Sequence, residues 1–243
     1  RSSDLQLILS DSEKNAFSLD GILPTNLPTV FDDAGKPKAE WADRALNVYD
    51  PYVRYAAFNV KKVPCLEIRR AVYFAKDAAG LLQLSGGAAF GGDPADGAIK
   101  PLMGLDYKKV TGLEDYKPAG NAAAAKALME KAKTTCPAEY AKATDPKRGL
   151  VFDTADSETN KKGAAIWIDS MMKNAGIVMK FNFIEPGSYY AVVLDATKQS
   201  DLSAGGWAPD WANASTVIPE LFTKEGGFPM SQNWDDPAYA AFK

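Results

Sequence analysis

Residues 150–183 read LVFDTADSETNKKGAAIWIDSMMKNAGIVMKFNF. The apolar runs at the two ends of this stretch are short and rich in β-branched and aromatic residues, which is typical of buried strands. The segment 160–175 between them predicts a helix, with Asp156 or Ser157 as its N-cap and Gly176 in the left-handed position that often ends a helix. A strand, a helix and a second strand in this order indicate a βαβ unit with parallel strands.

The predicted helix has one apolar face, which we expect to pack on the sheet through Ala164, Ile168, Met171, Met172 and Ala175. Strand and helix patterns alternate on both sides of the βαβ unit. Further strands are predicted over 52–60 and 202–207, and further helices around 68–75, 122–133 and 189–195. The sequence therefore predicts an α/β fold with a largely parallel sheet flanked by helices.

Other stretches lack such patterns. Residues 1–54 are irregular apart from one short predicted strand over 5–9. The glycine-rich run 86–92 predicts a flexible loop, because no GK[ST] motif follows it to form a phosphate-binding loop. Residues 93–118 hold several Pro and Gly residues and predict a long connection.

Composition excludes several classes of function. The chain has 28 Lys and Arg, 31 Asp and Glu, a net charge of -3 and no His. An acidic balance argues against nucleic acid as a partner. Without His, Ser-His-Asp and Cys-His catalysis are excluded, and two Cys alone do not form an ordinary zinc site. We therefore expect no metal and no cofactor. No stretch approaches the roughly 18 apolar residues of a membrane span.

The chain begins at Arg1 without an initiator Met and stops within a stretch, 237–243, that predicts a helix. We expect it to be a piece of a longer secreted protein. In an exported protein an even cysteine count favours a disulfide, here between Cys65 and Cys136. Two free buried thiols are the alternative.

A ligand site is expected at one edge of the sheet. In open α/β sheets ligands bind beyond the carboxyl ends of the strands, which selects the loops 153–157, 185–189 and 206–213. The last loop places two indoles, Trp207 and Trp211, beside Asp210 and directly after two glycines. Trp rings offer rigid contact surfaces, and Asp210 can pair with a cation. The alternative is that Trp207 fills the core and Asp210 caps the next segment.

Acidic residues also cluster at 153–158. Asp153, Asp156 and Glu158 suggest paired carboxylates for hydrolysis, a site for a hard metal ion, or acidic caps in a first helical turn, and the last interpretation is the simplest.

The order of motifs from Asn59 onward resembles the extracytoplasmic solute-binding proteins of ABC importers, in the family that captures oligopeptides, dipeptides and nickel. The residues that carry the resemblance are Phe58-Asn59, Pro64, Ile68 to Asp77, Ala124 to Ala132, Ile168 to Ile177, Asp201 to Trp211, Glu220 to Phe222 and Asn233 to Pro237.

The resemblance implies a periplasmic-binding-protein-like lobe and a binding function without catalysis. It assigns residues 55–243 to a C-terminal lobe that is incomplete at its end, and 1–54 to a connection from a larger lobe. It also implies backbone contacts with the ligand beside Trp207, at Gly206 and Trp207, pairing of Asp210 with the amino group of a peptide, and an aromatic wall from Tyr189. From the loop sequence itself we add Ala208 and Trp211 to the expected ligand-binding residues. Cys65 replaces a helix-capping Asp of the family, which strengthens the expectation of a disulfide.

The expected protein is a monomer outside the cytoplasm, in the periplasm or at the cell surface with a lipid anchor, that delivers peptides to an ABC permease in the membrane. Two rivals remain. One is an oligosaccharide-binding protein of the same fold, in which Trp207 and Trp211 stack on sugar rings. The other is a hydrolase that uses Asp153 and Asp210.

Overall fold

The computed structural model describes residues 22, 24–48, 52–211, 213–223 and 226. Its strands are β1 (Val53–Phe58), β2 (Leu150–Ala155), β3 (Met179–Ile184) and β4 (Leu202–Trp207). Its α-helices are α1 (Leu27–Val30), α2 (Leu66–Ala75), α3 (Ala78–Gln83), α4 (Ala88–Gly91), α5 (Ala122–Thr135), α6 (Pro137–Thr144), α7 (Glu158–Ala175), α8 (Tyr189–Val193) and α9 (Ile218–Phe222). Short 3₁₀ helices lie at Pro24–Asn26, Ala39–Trp41, Pro101–Asp106, Pro186–Ser188 and Ala214–Thr216.

The chain forms two compact units. The first comprises residues 1–49 and 82–93, and the second comprises residues 50–81 and 94–243. The expected division into a segment 1–54 and a lobe 55–243 stays a prediction, and the strand expected over 5–9 and the helix expected over 237–243 lie outside the described residues.

The first unit has a small apolar core. Leu27, Val30, Phe31 and Trp41 are buried there, and the Phe90 ring lies 5.3 Å from that of Phe31. The glycine-rich run that we expected to be a loop contains a turn followed by α4. Positive φ angles at Gly86, Gly87 and Gly92 allow the chain to turn sharply before and after that helix.

The second unit is built on a four-stranded sheet in the order β1-β4-β2-β3. Strand β2 pairs in parallel with both β3 and β4, and β1 pairs antiparallel with β4 at the sheet edge. The predicted α/β fold is confirmed, and the parallel β2-α7-β3 unit lies where residues 150–183 predict it.

Local signals account for the ends of several helices. The Asn121 side chain accepts a hydrogen bond from the Ala124 amide at 3.2 Å and caps α5, and Ser157 accepts one from the Asn160 amide at 3.1 Å and caps α7. Gly176 ends α7 with φ 66°. Pro137 occupies the first turn of α6, where its missing N–H leaves no hydrogen bond unmade.

The buried face of α7 differs from the one predicted. Ala164, Met171 and Ala175 are buried, but Ile168 and Met172 are 43% and 51% exposed. Polar groups occupy the buried face instead. The buried Asn174 donates a hydrogen bond from Nδ2 to the carbonyl of Ala75 at 2.9 Å. This bond allows a polar side chain to lie in the interior, where hydropathy alone would not place it.

Helix α2 buries the stripe that its spacing predicts. Ile68, Ala71, Val72 and Ala75 are each no more than 2% exposed, and they join a core with residues of α5 and the sheet. None of the helices in the described ranges is long and apolar enough to span a membrane.

A disulfide joins Cys65, at the start of α2, to Cys136, between α5 and α6, with their Cα atoms 6.1 Å apart. It closes a loop over a sequence separation of 71 residues. Because a cross-link of this span removes conformational freedom from the unfolded chain, it stabilises the helical layer.

We predict that replacing both cysteines with serine lowers the free energy of unfolding by about 4 kcal/mol. Urea denaturation followed by circular dichroism measures the change. A reductant should shift the midpoint of the original chain and leave the double variant unaffected; equal sensitivity of the two proteins would contradict the role given to the bridge.

Candidate functional site

The carboxyl end of β4 is paired on one side. Leu202 and Ser203 are in register with Phe152 and Asp153 of β2, and this pairing stops there. On the opposite side β1 accompanies β4 as far as Trp207. Within the described strands, the side of residues 204–206 that faces β2 therefore has no strand paired to it, the arrangement to which an extended chain can add.

Two tyrosines explain the two glycines in this strand. A Cβ atom at Gly205 would collide with the ring of Tyr55, and one at Gly206 would collide with the hydroxyl end of Tyr52. At Gly205 a side chain would have to displace the half-buried Tyr55 ring, whereas the exposed Tyr52 side chain can move away from one at Gly206. Tyr52, which precedes β1, and Tyr55, within it, thus cover the strand end that the sequence singles out.

Tyr52 and Tyr55 form an aromatic surface with their neighbours. Tyr52 is 37% exposed, and the Arg54 guanidinium lies 5.4 Å from the centre of its ring. Burial, together with the nearby Tyr52 and Tyr190, raises the pKa of Tyr55 to about 12. The Tyr55 hydroxyl therefore stays protonated at neutral pH and can donate a hydrogen bond.

The Trp207 indole is half-buried, and it belongs partly to the core. Its ring packs beside a cluster that contains Met103, Val217 and Leu221, and its Nε1 donates to the carbonyl of Thr216 at 2.8 Å. These contacts fix the orientation of the ring while part of its surface remains accessible.

Asp210 lies at the surface next to this indole. Its amide donates to Thr216 Oγ1 at 3.0 Å, and the same hydroxyl donates to Asp210 Oδ2 at 3.0 Å. The reciprocal pair holds the carboxylate in one orientation. The side chain is exposed, and no salt bridge to it is found among the described residues. Asp210 is thus both a local cap and an accessible anion.

Ala208 and Trp211 are exposed on the same loop. Trp211 is 58% exposed, and its Nε1 donates to Ser215 Oγ at 3.2 Å. A large exposed indole held by a hydrogen bond is a surface suited to contact with another molecule.

Tyr189 lies in a different setting from the expected aromatic wall. It is 7% exposed and packs with Ile184 and Val193, and its hydroxyl donates to the carbonyl of Ala204. Its observed contacts connect α8 to β4. The next residue, Tyr190, is 57% exposed and stacks edge-on against Tyr189 at 5.4 Å, so the accessible ring of this pair is Tyr190.

The acidic residues of the other two loops serve local structure. Asp153 is fully buried and accepts from the Ser200 amide at 2.6 Å, the Ser200 hydroxyl at 2.7 Å and Asn182 Nδ2 at 3.0 Å. Asp156 pairs with Lys161 at 2.8 Å, and Glu185 accepts from the Gly187 amide at 2.9 Å. A hydrolase that pairs Asp153 with Asp210 across a cleft requires an accessible Asp153, and here that carboxylate is enclosed and satisfied.

The comparisons with known proteins agree with this architecture. A sequence model of the bacterial extracellular solute-binding proteins, family 5 (middle region), matches residues 14–229. The chain belongs to this family. The resemblance drawn from the motifs is therefore confirmed, and the family consists of binding proteins. Comparison with curated proteins gave no match.

Solved structures show the same fold. The murein tripeptide binding protein MppA of Escherichia coli aligns with a TM-score of 0.65 at 18% identity, over 97% of this chain and 43% of its own. The ABC transporter substrate-binding protein CtaP of Listeria monocytogenes gives 0.70 at 15% identity, over 99% and 45%. A periplasmic oligopeptide-binding protein of Borrelia burgdorferi gives 0.64 at 14% identity, over 99% and 43%. The chain spans less than half the length of these proteins.

We predict that Gly205→Ala lowers the free energy of unfolding by about 1–3 kcal/mol, because the new methyl group meets the Tyr55 ring in a packed sheet. Thermal unfolding measures the loss. In a Tyr55→Ala background the same substitution should cost clearly less, since the colliding ring is absent. An equal cost in both backgrounds would contradict the proposed contact.

Proposed function

We propose that this chain is part of the extracytoplasmic substrate-binding component of an ABC importer and that it binds oligopeptides or dipeptides at the end of β4. The observation that carries the proposal is the one-sided strand pairing of residues 204–206, close to an exposed Asp210. The MppA and Borrelia structures are described as peptide-binding proteins, which supports a peptide as the ligand class.

An extended peptide matches the chemistry of this edge. Its main chain offers alternating donors and acceptors to the backbone groups of Gly206, Trp207 and Ala208, in the manner of an added strand. Such contacts do not depend on side-chain identity. The Asp210 carboxylate then receives the free amino group at the peptide N-terminus as a charge-assisted hydrogen bond.

Aromatic rings border the same edge. Trp211 and Tyr52 are accessible, and Tyr190 projects from α8 close enough to influence the pKa of Tyr55. Flat rings contact side chains of many shapes without large losses of conformational entropy. In this proposal Tyr190 replaces Tyr189 as the accessible ring, while Tyr189 holds β4 in place.

The complete site needs a second wall. The similar structures are more than twice as long as this chain, and we propose that an opposing lobe closes over the peptide. The loaded protein then delivers its ligand to a membrane permease. It acts outside the cytoplasm as a monomer, with a lipid anchor as one means of attachment.

We predict that Asp210→Asn, made in the full protein that contains this chain, weakens binding of a peptide with a free amino terminus about tenfold. Isothermal titration calorimetry measures the affinity. Binding of the N-acetylated peptide should be unchanged, because it lacks the ammonium group that pairs with Asp210.

Asp169→Asn is the matched control, since Asp169 is an exposed carboxylate on α7. Equal losses for the free and acetylated peptides would exclude pairing of Asp210 with the amino group. Saturable binding of a maltooligosaccharide, with no response to any peptide, would favour the sugar-binding rival.

We further predict that the chain by itself binds peptides only weakly, because one wall leaves half of the ligand in water. Titration of the 243-residue chain with a peptide library tests this. Submicromolar affinity of the chain alone would contradict the two-wall arrangement.

A further inference from the structure

A pocket lies at the opposite end of the strands, where β2 and β4 begin. Its cavity has a volume of about 290 Å³. Side chains from separate elements line it: Lys62, Lys142, Arg148, Val151, Ser200 and Asp201. The carboxyl end of β4, where the peptide is proposed to bind, is at the other end of these strands, so this pocket is a separate place on the molecule.

The pocket is positively charged in a chain that is negative overall. Three cationic side chains and one carboxylate line it, which gives a local formal charge of +2, whereas the whole chain carries -3. The carboxylate is also fully engaged: Asp201 Oδ1 pairs with Lys142 Nζ, and Oδ2 accepts from the Val151 amide at 2.9 Å. Both of its oxygens thus have partners within the protein.

Donors remain available around the cavity. Each lysine ammonium has three N–H groups, of which Lys62 gives one to the carbonyl of Gln199 and Lys142 gives one to Asp201. Arg148 is exposed, and within the described residues its guanidinium makes no hydrogen bond or ion pair.

The walls of the pocket are held firmly. The Lys62 amide donates to the carbonyl of Asn59 at 3.0 Å, and Asn59 is buried. The Gly149 amide donates to the carbonyl of Lys142 at 3.1 Å, and Gly149 has φ 67° with Val178 O in the place of any Cβ. Hydrogen bonds to Gln199 and Asp201 also hold the Lys62 and Lys142 ammonium groups. Two of the three cations are thus in place before any ligand arrives, which reduces the entropic cost of binding.

We propose that this pocket binds a phosphate group, either free or as a phosphate ester. Arg148 supplies the planar fork that matches two oxygens of a phosphate, and the lysines supply point charges for the others. A phosphate monoester carries a charge near -2 at neutral pH, which matches the local excess of positive charge. The cavity is larger than a phosphate group, so it leaves space for the beginning of the group that carries the ester.

The test compares two sources of phosphate on the intact chain. Soluble probes are inorganic phosphate and phosphoserine, titrated at constant ionic strength by isothermal calorimetry. The membrane probe is a vesicle of phosphatidylglycerol and phosphatidylcholine, with pure phosphatidylcholine vesicles as the reference in a flotation assay. We expect Arg148→Gln to weaken binding to the effective probe about tenfold and Lys126→Gln, which removes an exposed charge on α5, to leave it unchanged.

Each outcome has a defined meaning. Arg148-dependent binding of soluble phosphate supports the pocket with a free ligand, and Arg148-dependent binding of anionic vesicles alone supports it with a lipid headgroup. No binding of either probe, or equal losses in the Arg148 and Lys126 variants, overturns the proposal. Thermal unfolding of each variant checks that the fold is intact. Peptide binding at Asp210 is independent of this result.

Discussion

The start of β4 is fixed by buried polar contacts, and the rest of the second unit depends on where that strand begins. Ser200 gives its amide and its hydroxyl to Asp153 in the middle of β2, and the buried Asn59 gives its amide to the carbonyl of Asp201. A buried carboxylate is costly unless hydrogen bonds satisfy it, so this arrangement tolerates little displacement. It holds β4 between β1 and β2 with one register.

That register determines which part of β4 is left with one partner. Because only Leu202 and Ser203 pair with β2, the last four residues of β4 are paired with β1 alone among the described strands. The tyrosines in and just before β1 then cross Gly205 and Gly206, and Thr216 orients both Trp207 and Asp210. The proposed binding edge is thus a consequence of strand pairing and not of the loop alone.

The two ends of the sheet have different electrostatic character. At the carboxyl end of β4 an exposed carboxylate stands among aromatic rings, a setting suited to a ligand with an ammonium group and varied side chains. At the amino ends of β2 and β4, lysine and arginine side chains surround a carboxylate that is already engaged. Parallel strands bring residues distant in sequence to each edge, so one small sheet supports two chemically distinct surfaces.

The amino-acid sequence by itself determined the features that arise within a few residues of one another. The caps at Asn121 and Ser157, the left-handed Gly176, the buried stripe of α2 and the β2-α7-β3 succession all follow from local spacing, and the ordered motifs identified the family. The tertiary structure alone decided that β1 pairs antiparallel with β4 and that Tyr55 crosses Gly205. It also decided that Asp153 and Tyr189 are buried and that the face of α7 that carries Ile168 is exposed. These features depend on contacts between segments far apart in the chain, such as that of Asp153 with Ser200 at a separation of 47 residues. Hydrophobic periodicity carries no information about which distant polar group will form a hydrogen bond with a buried polar group.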